Sequence, residues 1–352
     1  MRRGLIVRSK TELPDAALQA RVERVRAAMA TEGLDALVVY TNNAQTAGVS
    51  WLTGFVPYWS EALLVVPRDG EPRLVAALSY RVKSWIERTS RVAEVIHTPR
   101  IGLEAGRLIG ASKTDAVVGI VDFDTVTVGM ADDLREGGPG LRLSDASGLF
   151  ARLRSVADSA EVTLATRAAE IAQRALAAVP QERDNLGAII AAVEAEARLF
   201  GAEEIYIAAA PDLARDQHLR RIEGDAALGE NFALRATVAY MGTWIRLGRC
   251  FSRTAVPTIH GARAAEQFAN AVAQLPNPRA FEKFSYWLVE GCRTTQPLAP
   301  LMGSDIADPR SPAGGMLVSV QARMSVEGRP VYISAPALIG SDGAAARLLI
   351  DL

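Results

Sequence analysis

The sequence predicts an α/β domain followed by an α+β domain with an internal pseudo-two-fold duplication. Three observations lead there. The chain has 352 residues, enough for two domains of about 150 residues each. Helix and strand signals alternate through its first half. In its second half, a helix–helix–strands order occurs twice.

In the first half, Arg21 to Glu32 repeats Val22, Val25 and Met29 at helical spacing, and Gly33 is a stop signal. Ala36 to Tyr40 is a short apolar run suited to a buried strand. Leu63–Pro67 and Leu74–Ala77 read as strands around the turn Arg68-Asp69-Gly70-Glu71-Pro72. Ala116–Val121 is another buried strand, Thr125–Glu136 a helix, and Gly-Gly-Pro-Gly at 137–140 a breaker. The second half opens with helices over Ser159–Val179 and Asn185–Phe200. Strands are expected at Glu204–Ala209, Phe232–Tyr240 and Thr243–Phe251, then helices at Ala262–Ala273 and Arg279–Cys292. The last strands are expected near Met316–Met324, Pro330–Pro336 and Ala345–Ile350.

Hydrophobic residues make up 49% and charged residues 22%, the balance of a soluble globular protein. Thirty-nine Lys+Arg against 40 Asp+Glu leave a net charge of −1, so no basic surplus points to nucleic acid. Every long apolar stretch is broken by charge, as Glu194 breaks Leu186–Ala197, so no membrane span is expected. The opening Met1–Lys10 is basic, but its apolar stretch is too short for a secretory signal. Cys250 and Cys292 cannot build a disulfide framework, which fits a reducing cytoplasm. Histidine is scarce: His97, His218 and His260 are the three. The Gly-Gly pairs at 137–138 and 314–315 read as turns, and phosphate loops, Cys-x-x-Cys and Gly-x-Ser-x-Gly elbows are absent.

A pattern spread over the whole chain is more informative. The stretch 21–39, Trp51-Leu-Thr-Gly-Phe55 and the strand–turn–strand at Asp69-Gly70 resemble the N-terminal domain of the creatinase, prolidase and aminopeptidase P family. Leu153–Glu161 looks like the hinge that opens the family's pita-bread domain, and Gly229–Phe251 is similar to its metal-ligand hairpin. Gly303–Pro309, Gly315-Met316 and the strands to Ile350 resemble its C-terminal lobe. The resemblance implies a ribonuclease H-like domain over 1–152 and a pita-bread domain over 153–352.

The family's metallopeptidases hold two divalent metals with two Asp, one His and two Glu. In register, the two Asp become Arg235 and Arg246, the His falls at or near Pro300, the first Glu becomes Gln321, and the second falls close to Ser334. No metal or other cofactor is therefore expected, because two guanidinium groups repel a cation. His218 precedes Gly229 by eleven residues, the register of a family histidine that serves creatinase as general acid/base. A second family histidine is replaced by Ala307. Arg235 and Arg246 need an anion, either a carboxylate of the chain (Glu230, Asp305 or Asp308) or an anionic ligand. The resemblance also suggests Tyr58 and Trp59, in the loop Phe55–Glu61, as a lid over a dimer partner's site. Cys250 is expected to be a structural thiol.

Two functions follow. The first is a metal-independent enzyme acting on a small carboxylate-bearing molecule, by C–N hydrolysis or lyase chemistry. His218 would be its acid/base, Arg235 and Arg246 its anion clamp, and Gln321, Ser334, Tyr58 and Trp59 further substrate contacts. The second is an inactive pseudo-peptidase that binds a ligand, forms a homodimer, or pairs with an active paralogue. Side chains collapsing onto the arginines would favour the second.

Overall fold

A computed structural model describes residues 9–57, 59–180, 185–253, 259–292 and 298–352. The chain divides into two compact units, Met1–Arg154 and Ser155–Leu352.

The first unit runs α1 (Asp15–Thr31), β1 (Ala36–Asn42), α2 (Ala47–Thr53), β2 (Glu61–Pro67) and β3 (Arg73–Ala76). It continues through α3 (Lys83–Thr89), β4 (Glu94–His97), α4 (Ile101–Ser112), β5 (Val117–Val121), α5 (Val128–Gly137), β6 (Arg142–Asp145) and α6 (Ser147–Ser155). The six strands form one sheet in the order β4-β3-β2-β1-β5-β6. β1 pairs antiparallel with β2 and parallel with β5. Its near-continuous apolar run serves both sheet faces: Leu37 and Val39 enter one core, Ala36 and Val38 the other. The glycines at 137–138 do more than turn the chain. A Cβ on Gly137 would overlap the Leu103 carbonyl, so glycine here lets α4 and α5 approach closely.

The second unit opens with α7 (Ser159–Ala177) and α8 (Leu186–Leu199), followed by β7 (Glu204–Ala210), β8 (Asn231–Tyr240), β9 (Thr243–Ser252) and α9 (Ile259–Ala273). It ends with β10 (Tyr286–Gly291), β11 (Ala299–Gly303), β12 (Leu317–Val326), β13 (Arg329–Leu338) and the two-residue β14 (Arg347–Leu348). Asp158 and Glu161 close a capping box at the start of α7. The seven longer strands order β11-β10-β12-β13-β9-β8-β7, with β14 beside β13. Alternation decides the two faces. Leu234, Ala236, Val238, Ile245 and Leu247 join the main core with Ala168, Ile171 and Ala172 of α7.

One expected element is absent. Arg279–Cys292 is not a helix: a 3-10 turn covers Pro278–Phe281 and Tyr286–Gly291 is the strand β10. Tyr286-Trp-Leu-Val289 suits a pleated surface, and pairing with both β12 and β11 overrides the helical spacing. The second half of this unit accordingly carries one α-helix before its long strands, not two.

The face opposite the main core holds the polar residues. Across the ladders, Arg235 lies opposite Gly248, Gly248 opposite Ser334, and Ser334 opposite Gln321. Small residues between Arg235 and Gln321 let the long side chain lie flat along the sheet. A Cβ on Gly248 would overlap the Tyr332 ring. Gly248→Ala is therefore expected to destabilise the protein by about 1–3 kcal/mol, the usual range for overpacking a filled site. Urea unfolding of the variant beside the parent measures it.

Candidate functional site

A hydrogen-bonded cluster spans β8, β9, β10, β12 and β13. Arg246 forms an ion pair through Nη1 with both carboxylate oxygens of Glu290, and its backbone N donates to Ser319 Oγ at 3.0 Å. Arg235 Nη1 donates to Gln321 Oε1 at 2.9 Å, and the Tyr332 hydroxyl donates to the same oxygen at 3.0 Å. Gln321 Nε2 donates to Glu290 Oε2 at 3.1 Å. Glutamine suits position 321 because its carbonyl serves two donors while its amide serves the carboxylate.

The charges do not cancel. Among the described residues, two guanidinium groups face one carboxylate, and Arg235 Nη1 donates to a neutral acceptor. The Nε atoms of Arg235 and Arg246 are buried without hydrogen-bond partners among the described residues. Burial pushes the Glu290 carboxyl above the usual range, against the pull of Arg246 and Arg235. Burial likewise raises the Tyr332 hydroxyl, which remains a neutral donor.

The other site residues predicted from sequence fall in different places. Gln321 and Ser334 are buried and directly paired across β12 and β13. Pro300 stands opposite Glu290 on the β10–β11 ladder, next to an irregularity at Val289/Glu290. His218 is on the loop after β7, its side chain 79% exposed. Its Nδ1 lies 2.9 Å from Asp216 Oδ1, which also accepts from the His218 backbone N–H. Those two bonds, with Arg220 on the other oxygen, hold the Asp216 carboxyl down to about 2. An ionised Asp216 makes Nδ1 the donor and leaves Nε2 as the acceptor. Among the described residues, no hydrogen bond joins His218 to the arginine cluster. Trp59 is 45% exposed, and Tyr58 and the His260 side chain lie outside the described residues. Ala307, where the resemblance places the second family histidine, is exposed.

Two expectations are corrected or sharpened. The carboxylate on Arg246 is Glu290, not Glu230, Asp305 or Asp308. The aromatic–aliphatic run ahead of it was the available signal, but a helical assignment gave Glu290 no sheet face. The Cys250 thiol is pushed up to about 12 by burial, and its Sγ lies against the Tyr332 backbone. It is a packed thiol and a poor nucleophile.

Residues 21–156 match the family model of the creatinase/prolidase N-terminal domain. The chain is similar to the X-Pro aminopeptidase of Thermotoga maritima at 15% identity, covering 94% of this chain and 97% of that one, with a TM-score of 0.70. It is similar to a Xaa-Pro dipeptidase from Bacillus anthracis at 15% identity, with the same coverages and a TM-score of 0.68. A prolidase from Pyrococcus furiosus aligns at 16% identity over 94% of this chain and 98% of that one, with a TM-score of 0.64. No curated protein matches the chain by sequence. At these identities the likeness establishes the fold. No helix among the described residues is long and apolar enough to cross a membrane.

Removing one partner of a buried ion pair strands the other, whereas removing both does not. Glu290→Ala is expected to cost about 3 kcal/mol, the low end for a buried pair, because Arg246 keeps 21% of its side chain exposed. The double variant Arg246→Met/Glu290→Met is expected to recover most of that loss. Denaturant midpoints of the two variants and the parent decide it.

Proposed function

We propose that this chain, which carries a creatinase/prolidase N-terminal domain and has the fold of the X-Pro aminopeptidases and prolidases, binds a small anionic ligand at Arg235 and Arg246 and does not work as a metallopeptidase. The observation that carries this is the charge imbalance: among the described residues, two guanidinium groups stand beside one carboxylate, bonded to Arg246, and their buried Nε–H groups have no acceptors. A carboxylate is the natural complement, since the guanidinium fork matches its two oxygens.

The donor set does not fit two divalent cations. The positions that the resemblance assigns to metal ligands hold two guanidinium groups, a proline, an amide and a serine hydroxyl. Glu290, the carboxylate nearest them, is already engaged by Arg246 and Gln321. A pseudo-peptidase that keeps the fold as a binding scaffold accounts for these substitutions. Two free cysteines, Cys250 and Cys292, suit a reducing cytoplasm, and the partner is a small molecule, with self-association or pairing with a paralogue compatible with it.

A second proposal, a metal-independent hydrolase or lyase, draws on the Asp216–His218 pair. A carboxylate on Nδ1 fixes the tautomer and directs Nε2 outward, as an acid/base histidine requires. General acid/base catalysis contributes about 10²- to 10⁴-fold, so the arginines would have to supply further stabilisation of developing charge.

Acetate is expected to bind the protein in a calorimetric titration, and Arg235→Met to abolish its heat. Mn²⁺ is expected neither to raise the melting temperature nor to elicit cleavage of an Xaa-Pro dipeptide. Unaltered acetate binding in Arg235→Met would sink the anion site. Turnover of a carboxylate substrate that His218→Ala lowers by a hundredfold would decide for the enzyme.

A further inference from the structure

The first unit contains a cavity of its own, under the last turn of α4. Its floor is one face of the sheet: Ala36 of β1, Val65 of β2 and Ala116, just ahead of β5, pack with Ile109 in one core, and Leu108 completes the wall. Ala36 and Ala116 are too short to fill the space beneath the helix, and a cavity of about 50 Å³ remains. Its polar lining comes from the end of α4 and from the turn between β2 and β3. The charges there differ in whether they are already engaged. Lys113 Nζ and the Val117 N–H both donate to Asp35 Oδ2 at 2.9 Å, which holds the Asp35 carboxyl below its usual range. Arg68 Nη2 lies 3.6 Å from the other oxygen of Asp35. Arg73 Nε donates to Glu94 Oε2 at 3.0 Å, across the β3–β4 ladder. Asp69 and Glu71, on the exposed turn, have neither hydrogen bond nor ion pair among the described residues. The last turn of α4 has no basic residue, and Lys113 beyond it is turned to Asp35, so the negative end of the helix dipole stays uncompensated. The charge left over at the mouth is therefore negative, above an apolar floor.

We propose that this cavity binds a small aliphatic ammonium ion, its alkyl chain over Ala36 and Ala116 and its charged head at Asp69, Glu71 and the end of α4. The volume sets the size of the chain, since a water-sized share of such space gives room for about four heavy atoms. An alkyl chain gains by leaving water for a floor that is already apolar. The ammonium group has three donors, enough to serve both carboxylates and a helix carbonyl. A carboxylic acid of the same length meets those carboxylates as like charges and is repelled. The site lies in the other unit from Arg235 and Arg246 and stands or falls independently of the anion site.

The test is an amide NMR titration of the isotope-labelled full chain at neutral pH and low ionic strength, with n-butylammonium, n-butanol and n-butanoate as probes. Butylammonium is expected to shift the Val65, Ile109 and Ala116 amides. It is expected to bind about fivefold more tightly than butanol, the scale of one exposed ion pair. Added salt is expected to erase that preference. Butanoate is expected to bind more weakly than either. The double variant Asp69→Asn/Glu71→Gln, confined to an exposed turn, is expected to bring butylammonium to the butanol level and to leave butanol binding intact. Absence of shifts at those amides, equal binding of butylammonium and butanol by the parent, or tighter binding of butanoate each overturns the proposal.

Discussion

The ion pair between Arg246 and Glu290 is the constraint around which the second unit's polar face is built. A guanidinium on a sheet interior cannot shed its proton, so it must find an anion or destabilise the fold. Glu290 supplies that anion from β10, across β12 and β13. The reach is long, and only small residues on the intervening strands permit it. Ser319, opposite both Glu290 and Pro336, keeps the path low, and Gly248 makes room for the Tyr332 ring. Gln321 completes the arrangement by joining the Arg235 side to the Glu290 side through a single amide.

This arrangement was partly readable from sequence. Binary patterning located the strands β8 and β9, because apolar alternation with one turn between them fixes a hairpin and its two faces. That was enough to put Arg235 and Arg246 on one face, since they sit opposite Gly248 and Thr237 in a continuous ladder. The partner of Arg246 was not readable. Tyr286–Gly291 spaces its apolar residues ambiguously between strand and helix, and only pairing with β12 and β11 decides the matter. Once that strand is taken for a helix, Glu290 has no defined sheet face, and acidic residues in nearby loops look like better partners. Which strands lie beside one another is a long-range property that local spacing does not encode. His218 shows the opposite limit: its register was plain, but its exposure and its bond to Asp216 depend on a loop path that no periodicity describes.

The two arginines are not equivalent, and the difference shows where an external anion would act. Arg246 has a carboxylate of its own, so a ligand meeting it must compete with Glu290. Among the described residues, Arg235 meets no carboxylate: its Nη1 donates to the amide oxygen of Gln321, which Tyr332 also claims. The uncompensated charge is therefore centred on Arg235. A carboxylate settling there would gain a charge-assisted bond that no described residue now makes, without breaking the pair that holds β9 to β10. Separating a structurally neutralised Arg246 from an uncompensated Arg235 would allow one cluster to serve both the fold and the proposed binding.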